Sequence, residues 1–153
     1  MSTPTPKDVT AIGATFADKH YKEGPNNDTM FGQWYGLNHE AWCAMFVSYC
    51  YWKAGVANLV AAESPKGFAG CVAGLRWFTN HKRIVPNTSA GIADLAFMNF
   101  DGGRTPQHVG LVMSNNLKLK QLHTIEGNTK DGVYYRTRPY SCVVAVAHPN
   151  WPH

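Results

Sequence analysis

Ala41-Trp42-Cys43-Ala44-Met45-Phe46-Val47-Ser48-Tyr49-Cys50 is the stretch around which the rest of the chain has to be placed. It is apolar on nearly every side. A helix here, from about Ala41 to Ala54 with Gly55 as its stop, must therefore be buried and central. Upstream, Thr5-Pro6-Lys7-Asp8 reads as a helix start, with a capping threonine, a first-turn proline and an acid that complements the dipole. Val9, Ile12, Phe16 and Ala17 recur at helical spacing up to about Tyr21. Residues 23–38, rich in Gly, Asn and Pro, read as a loop anchored by Phe31, Trp34 and Tyr35. Downstream, Ser64-Pro65 opens a third helix with Phe68, Cys71, Val72, Leu75 and Phe78 on one face.

After Pro86 the pattern changes to strands. Leu95–Phe100, His108–Met113, Lys120–Ile125, Val133–Arg138 and Val143–Ala147 are separated by the turn signals Asp101-Gly102-Gly103, Ser114-Asn115-Asn116 and Asp131-Gly132. Helices first and strands afterwards predict an α+β fold, with N-terminal helices packed on a C-terminal antiparallel sheet.

Composition limits the function. The 153 residues point to one domain, residues 1–153 with a core of about 5–148, and neither a repeat nor a low-complexity linker divides them. Hydrophobic residues make up 44% and charged residues 16%, which is a globular balance. Five Trp and seven Tyr suggest a groove lined with rings as well as a core. The net charge of +4 and sequence pI of about 8.9 suit an anionic partner such as a bacterial wall. The basic residues are scattered, which argues against nucleic acid. Met1–Asp8 contains no apolar signal core, and no stretch approaches 18 apolar residues, so membrane insertion is not expected.

None of the four cysteines forms a Cys-x-x-Cys pair, which disfavours zinc and redox motifs. Cys43 and Cys50 on one helix would lie roughly 10 Å apart along its axis, too far for a disulfide. Cys43, at a helix start where unpaired N–H groups favour negative charge, reads as a free, ionisable thiol. Cys50, Cys71 and Cys142 lie in apolar runs and read as inert core residues.

A thiol nucleophile needs a base that keeps it ionised and later protonates the leaving amine; histidine suits both tasks. His108 opens a strand, and Gly110 on the same face leaves room for another backbone, such as the start of the Cys43 helix. His123 is the rival, but it faces away from Glu126. Glu126 and Asn128, two apart at a strand end, are the candidates to orient the imidazole. The Cys43 N–H is the natural first oxyanion donor, with Tyr35 or Asn38 as the second.

Trp42-Cys43-Ala44, His108-Val109-Gly110 and Glu126-Gly127-Asn128-Thr129, in this order, resemble the CHAP family, the cysteine- and histidine-dependent amidohydrolases/peptidases. Gly32-Gln33-Trp34-Tyr35-Gly36 is similar to members of that family as well. The likeness runs from about Phe16 to Pro149. It implies a papain-like fold and cleavage of a peptidoglycan amide bond by a monomer. By resemblance, Cys43 is the nucleophile, His108 the base, and Glu126 with Asn128 the orienting groups. Phe31, Trp34 and Tyr35 are candidate substrate contacts or, equally, packing residues, and Asn38 is a further candidate contact.

The phage endolysin type is favoured, made in the host cytoplasm without a signal peptide and reaching the wall through a separate export or pore system. Bacterial wall-remodelling endopeptidases of papain-like fold and an inactive wall-binding module are the alternatives. No separate wall-binding domain is expected. Some family members bind calcium through an aspartate-rich loop. Here Asn26-Asn27-Asp28-Thr29 offers one carboxylate, so no metal and no cofactor are expected.

Overall fold

A computed structural model describes residues 3–152. Among them are four α-helices: α1 (Pro6–Asp18), α2 (Met30–Tyr35), α3 (Cys43–Lys53) and α4 (Cys71–Asn80). Six strands follow: β1 (Ile84–Val85), β2 (Leu95–Met98), β3 (His108–Asn116), β4 (Gln121–Thr129), β5 (Gly132–Pro139) and β6 (Val143–Ala147). They form one antiparallel sheet in the order β1-β6-β2-β3-β4-β5. The α+β class with an antiparallel sheet is therefore the architecture of the chain.

The all-round apolarity of α3 has the expected consequence. Cys43, Ala44, Met45, Phe46, Val47, Ser48, Cys50 and Tyr51 are all buried. Ser48, the polar residue among them, donates to the carbonyl of Phe68 and accepts from its N–H, both at 3.0 Å. The helix packs on the sheet face formed by Leu95, Phe97, Val109, Leu111 and Ile125. The opposite face is also covered: Ala96, Met98, Val112, Leu122 and Val146 form a second apolar cluster with Val143. Strand β2 is buried on both faces for this reason, which explains its unbroken apolar sequence.

Several boundaries differ from the sequence reading. Helix α1 starts as expected, with the Thr5 N–H donating to the Asp8 carboxylate at 2.7 Å, but it ends at Asp18 because His20 turns left-handed (φ 57°). The loop over residues 23–38 contains α2, capped by Thr29, whose hydroxyl accepts from the Gly32 N–H at 2.9 Å. Helix α4 begins at Cys71, not at Ser64-Pro65. Residues 64–67 close a turn, and the Glu63 carboxylate accepts the N–H groups of Ala69 and Gly70. Strand β1 precedes Pro86. Ser114-Asn115-Asn116 lies within β3, with the turn at residues 117–120. Asn115 is held in the strand because its amide donates to the carbonyls of Asn87 and Ala90.

Candidate active site

Cys43 is the first residue of α3. Trp42, in the capping position, offers no side-chain acceptor, so it leaves the first-turn N–H groups free to act on a sulfur anion or on a ligand oxygen. The residue is 5% exposed. Its position is fixed by an aromatic wedge: the Trp42 ring stacks on Phe31 at 5.5 Å, and its indole N–H donates to Glu23 at 3.1 Å.

Two glycines on the sheet let the other half of the site come close. A Cβ on Gly127 would lie 2.7 Å from Cβ of Phe46 and 2.8 Å from the Trp42 ring, so β4 can approach the first turn of α3 only with glycine there. A Cβ on Gly110 would lie 2.6 Å from Cγ of Glu126. The space beside His108 is thus filled by the Glu126 side chain. This corrects the expectation that Gly110 makes room for the helix backbone.

Glu126 has no exposed surface. Its Oε1 is 2.8 Å from Nε2 of His108 and accepts from Nη2 of Arg138 at 2.6 Å. Its Oε2 accepts from Nε of Arg138 at 2.9 Å and from the Thr124 hydroxyl at 2.5 Å. Burial alone would raise its pKa. The hydrogen bonds from Arg138 and His108, the imidazolium charge and the Thr124 hydroxyl outweigh it and bring the group down to about 2. For His108, burial pulls downward; the Cys43 sulfur and the Glu126 carboxylate together raise it to about 9.

The Cys43 thiol is shifted the opposite way, well below its ordinary value. The thiol of Cys71, with the two sulfurs 3.8 Å apart, is the largest cause; His108, by hydrogen bonding and charge, and the Val109 N–H add to it against the effect of burial. Cys71 is pushed upward by the same contact and by burial, so it stays a thiol and donates. These opposed shifts favour a thiolate–imidazolium pair backed by a carboxylate. With Nε2 on Glu126, Nδ1 is the ring nitrogen left to serve Cys43.

His108 is hydrogen-bonded to Glu126 and stands near enough to Cys43 for each to shift the other's titration. Asn128 stands apart from them. It sits in the irregularity between Glu126 and Thr129, with φ 57°, and no hydrogen bond links its side chain to His108. Asparagine tolerates that conformation, so a backbone role accounts for it. His123 is exposed and contacts the Thr137 hydroxyl at 3.1 Å.

The expected substrate contacts divide as well. Phe31 is fully buried in the core and is unavailable to a substrate. Asn38 is engaged in its own loop: its amide donates to Asp28 at 2.7 Å, and its oxygen accepts from the Thr29 N–H at 3.0 Å. Trp34 and Tyr35 are half-buried, and Trp34 packs edge-on against Tyr49 at 5.4 Å.

Three contributors escaped the sequence reading. Arg138 is visible there only as a strand residue; its alternation with Arg136 places it on the Glu126 face once β4 and β5 are paired. Phe100, 49% exposed, lies 5.9 Å from the His108 ring and carries the Arg138 guanidinium at 4.8 Å. Cys71, read as inert, instead faces Cys43 from the first turn of α4. Misplacing the start of α4 hid it.

A groove of about 390 Å³ lined by Leu37, Glu40, Ala41, Glu63, Ala69 and Gly70 runs along the segments that lead into both cysteines. Among the described residues no group of three or more His, Cys, Asp or Glu side chains gathers to hold a metal, and no helix is long and apolar enough to cross a membrane. A second imidazole–carboxylate pair, His148 with Asp94 at 2.7 Å, borders a groove lined by Thr5, Lys7, Ser89 and Ile92, with no cysteine in its walls. No family model, no curated protein and no solved structure matches this chain.

Proposed function

We propose that this chain is a thiol-dependent amide hydrolase acting on bacterial cell-wall peptidoglycan, in the manner of the CHAP enzymes that its three motifs resemble. The observation that carries the reading is the position of His108, with one ring nitrogen 2.8 Å from a buried carboxylate and the ring in range of a helix-start thiol. In this reading the Cys43 thiolate attacks the amide carbonyl, and the Cys43 N–H faces the developing oxyanion. His108 gives its proton to the departing amine, then takes one from the water that cleaves the thioester. Glu126 holds the imidazole in orientation and offsets its charge. Tyr35 becomes the candidate for the second oxyanion donor, since the Asn38 amide is spent on Asp28.

A helix-borne thiol against a sheet-borne imidazole is also how a papain-like arrangement would look, and we include that in the proposal. Lysis of a phage host is the setting that the resemblance favours. Clearing of purified walls by the parent protein and by Cys43→Ala tests the activity: the parent clears and the variant does not, and equal clearing by both removes the proposal. The mass of the released fragments then identifies the bond. A free muramic-acid end means amidase, and a new peptide terminus means endopeptidase.

A further inference from the structure

We propose that Cys43 and Cys71 are a peroxide-responsive pair, in which Cys71 captures the oxidised nucleophile as a reversible disulfide. Loss of hydrolysis while the disulfide holds Cys43 rests on the hydrolase reading above; the chemistry of the pair does not.

The placement comes from two different helices. Cys43 is the first residue of α3 and Cys71 the first of α4, so neither thiol is locked within a helix interior. Their sulfurs lie 3.8 Å apart, and a disulfide needs about 2.04 Å, so closure requires about 1.8 Å of approach. Rotation of two short side chains about their Cα–Cβ bonds covers such a distance. The remaining thiols are differently placed: Cys50 is fully buried, and Cys142 donates to the carbonyl of Pro139. Cys71 is partly exposed, so the pair has a solvent side, next to the groove at Ala41 and Gly70.

The steps balance with hydrogen peroxide as oxidant. The Cys43 thiolate attacks one peroxide oxygen. The O–O bond breaks, an S–O bond forms, and the departing hydroxide takes a proton and leaves as water. Sulfur loses two electrons to the peroxide. The Cys71 sulfur then attacks Cys43, the S–O bond breaks, and the hydroxide leaves with the Cys71 proton as a second water. Once Cys43 carries oxygen its negative charge is gone, and with it the main reason that Cys71 holds its proton. The same contact that makes Cys71 a donor in the reduced protein thus makes it the resolving thiol in the oxidised one. Without a neighbour of this kind, a sulfenic acid proceeds to the irreversible sulfinic acid.

The test is a mass measurement. The full chain is treated with a small excess of hydrogen peroxide, unfolded in the presence of iodoacetamide, and digested without reductant. The expected product is a Cys43–Cys71 cross-linked peptide, two hydrogens lighter than the sum of its parts, with Cys50 and Cys142 alkylated; dithiothreitol returns both thiols. Cys71→Ser should instead trap dimedone at Cys43 and accumulate sulfinic acid there faster than the parent. Sulfinic acid on Cys43 with Cys71 still alkylated in the parent overturns the proposal, as does a cross-link to Cys50 or Cys142. Because the cross-link is read by mass, a parent that forms it on oxidation yet leaves walls intact when fully reduced overturns the hydrolase reading and leaves the pair standing.

Discussion

A carboxylate with no exposed surface remains an anion only when donors surround it, and Glu126 has four. Two of them belong to Arg138, whose side chain is itself 20% exposed. Arg138→Ala leaves that buried charge short of partners and should lower stability by about 3 kcal/mol, read from urea unfolding at neutral pH. Glu126→Ala should reduce the initial rate of wall clearing by about 10²-fold, since the imidazolium loses both its orientation and its compensating charge. Asn128→Ala should leave that rate near the parent's and instead cost about 1 kcal/mol of stability, because alanine is strained at φ 57°; Asn128→Gly should recover it. A larger rate loss for Asn128→Ala than for Glu126→Ala would reverse these roles.

At the scale of elements, the two glycines separate packing from chemistry. Gly127→Ala presses a methyl group against Phe46 and Trp42, which are core, so it should destabilise by about 1–3 kcal/mol. Gly110→Ala presses instead on Cγ of Glu126 and displaces the carboxylate that faces His108, so its loss of turnover should exceed what its loss of stability explains; equal losses would deny Glu126 an orienting role. The helix–sheet division and the buried α3 were legible because apolar periodicity reports burial directly. Cys43 and His108 were legible because each opens an element, and Glu126 because an acid beside Gly127 interrupts an apolar strand. Arg138 was not, since its contact depends on the β4–β5 register, which shifts at the irregularity after Glu126. Phe31 stayed open between contact and packing because a ring in a Gly- and Asn-rich loop looks exposed until α2 folds it inward. Cys71 was misjudged because a proline suggested the wrong helix start.

For the whole molecule, pH dependence separates stability from activity. His108, raised to about 9, contributes stability that is fully present below its ordinary value near 6.5 and lost as pH rises through about 9. Cys43, shifted down, contributes in the opposite direction as pH rises toward 9. A folded thiolate–imidazolium pair and an unfolded thiol with a neutral imidazole bind the same number of protons. Thermal stability should therefore be nearly flat from about pH 6.5 to 9, while kcat/KM falls above about pH 9. Cys43→Ala removes one of the two groups that hold His108 up, so the imidazole followed by NMR titration should titrate below the parent's value of about 9; an unchanged value in the variant would contradict the pairing. Below that range, Glu126 loses its contribution as pH falls from about 4.5 through about 2. The division of the site between the helical and sheet halves also affects biosynthesis. A ribosome releases the sulfur some sixty residues before the imidazole and more than eighty before the carboxylate, so under the proposed mechanism a nascent chain carries its nucleophile without a base, and attack on a wall waits until the strands that bear His108 and Glu126 have been made and paired.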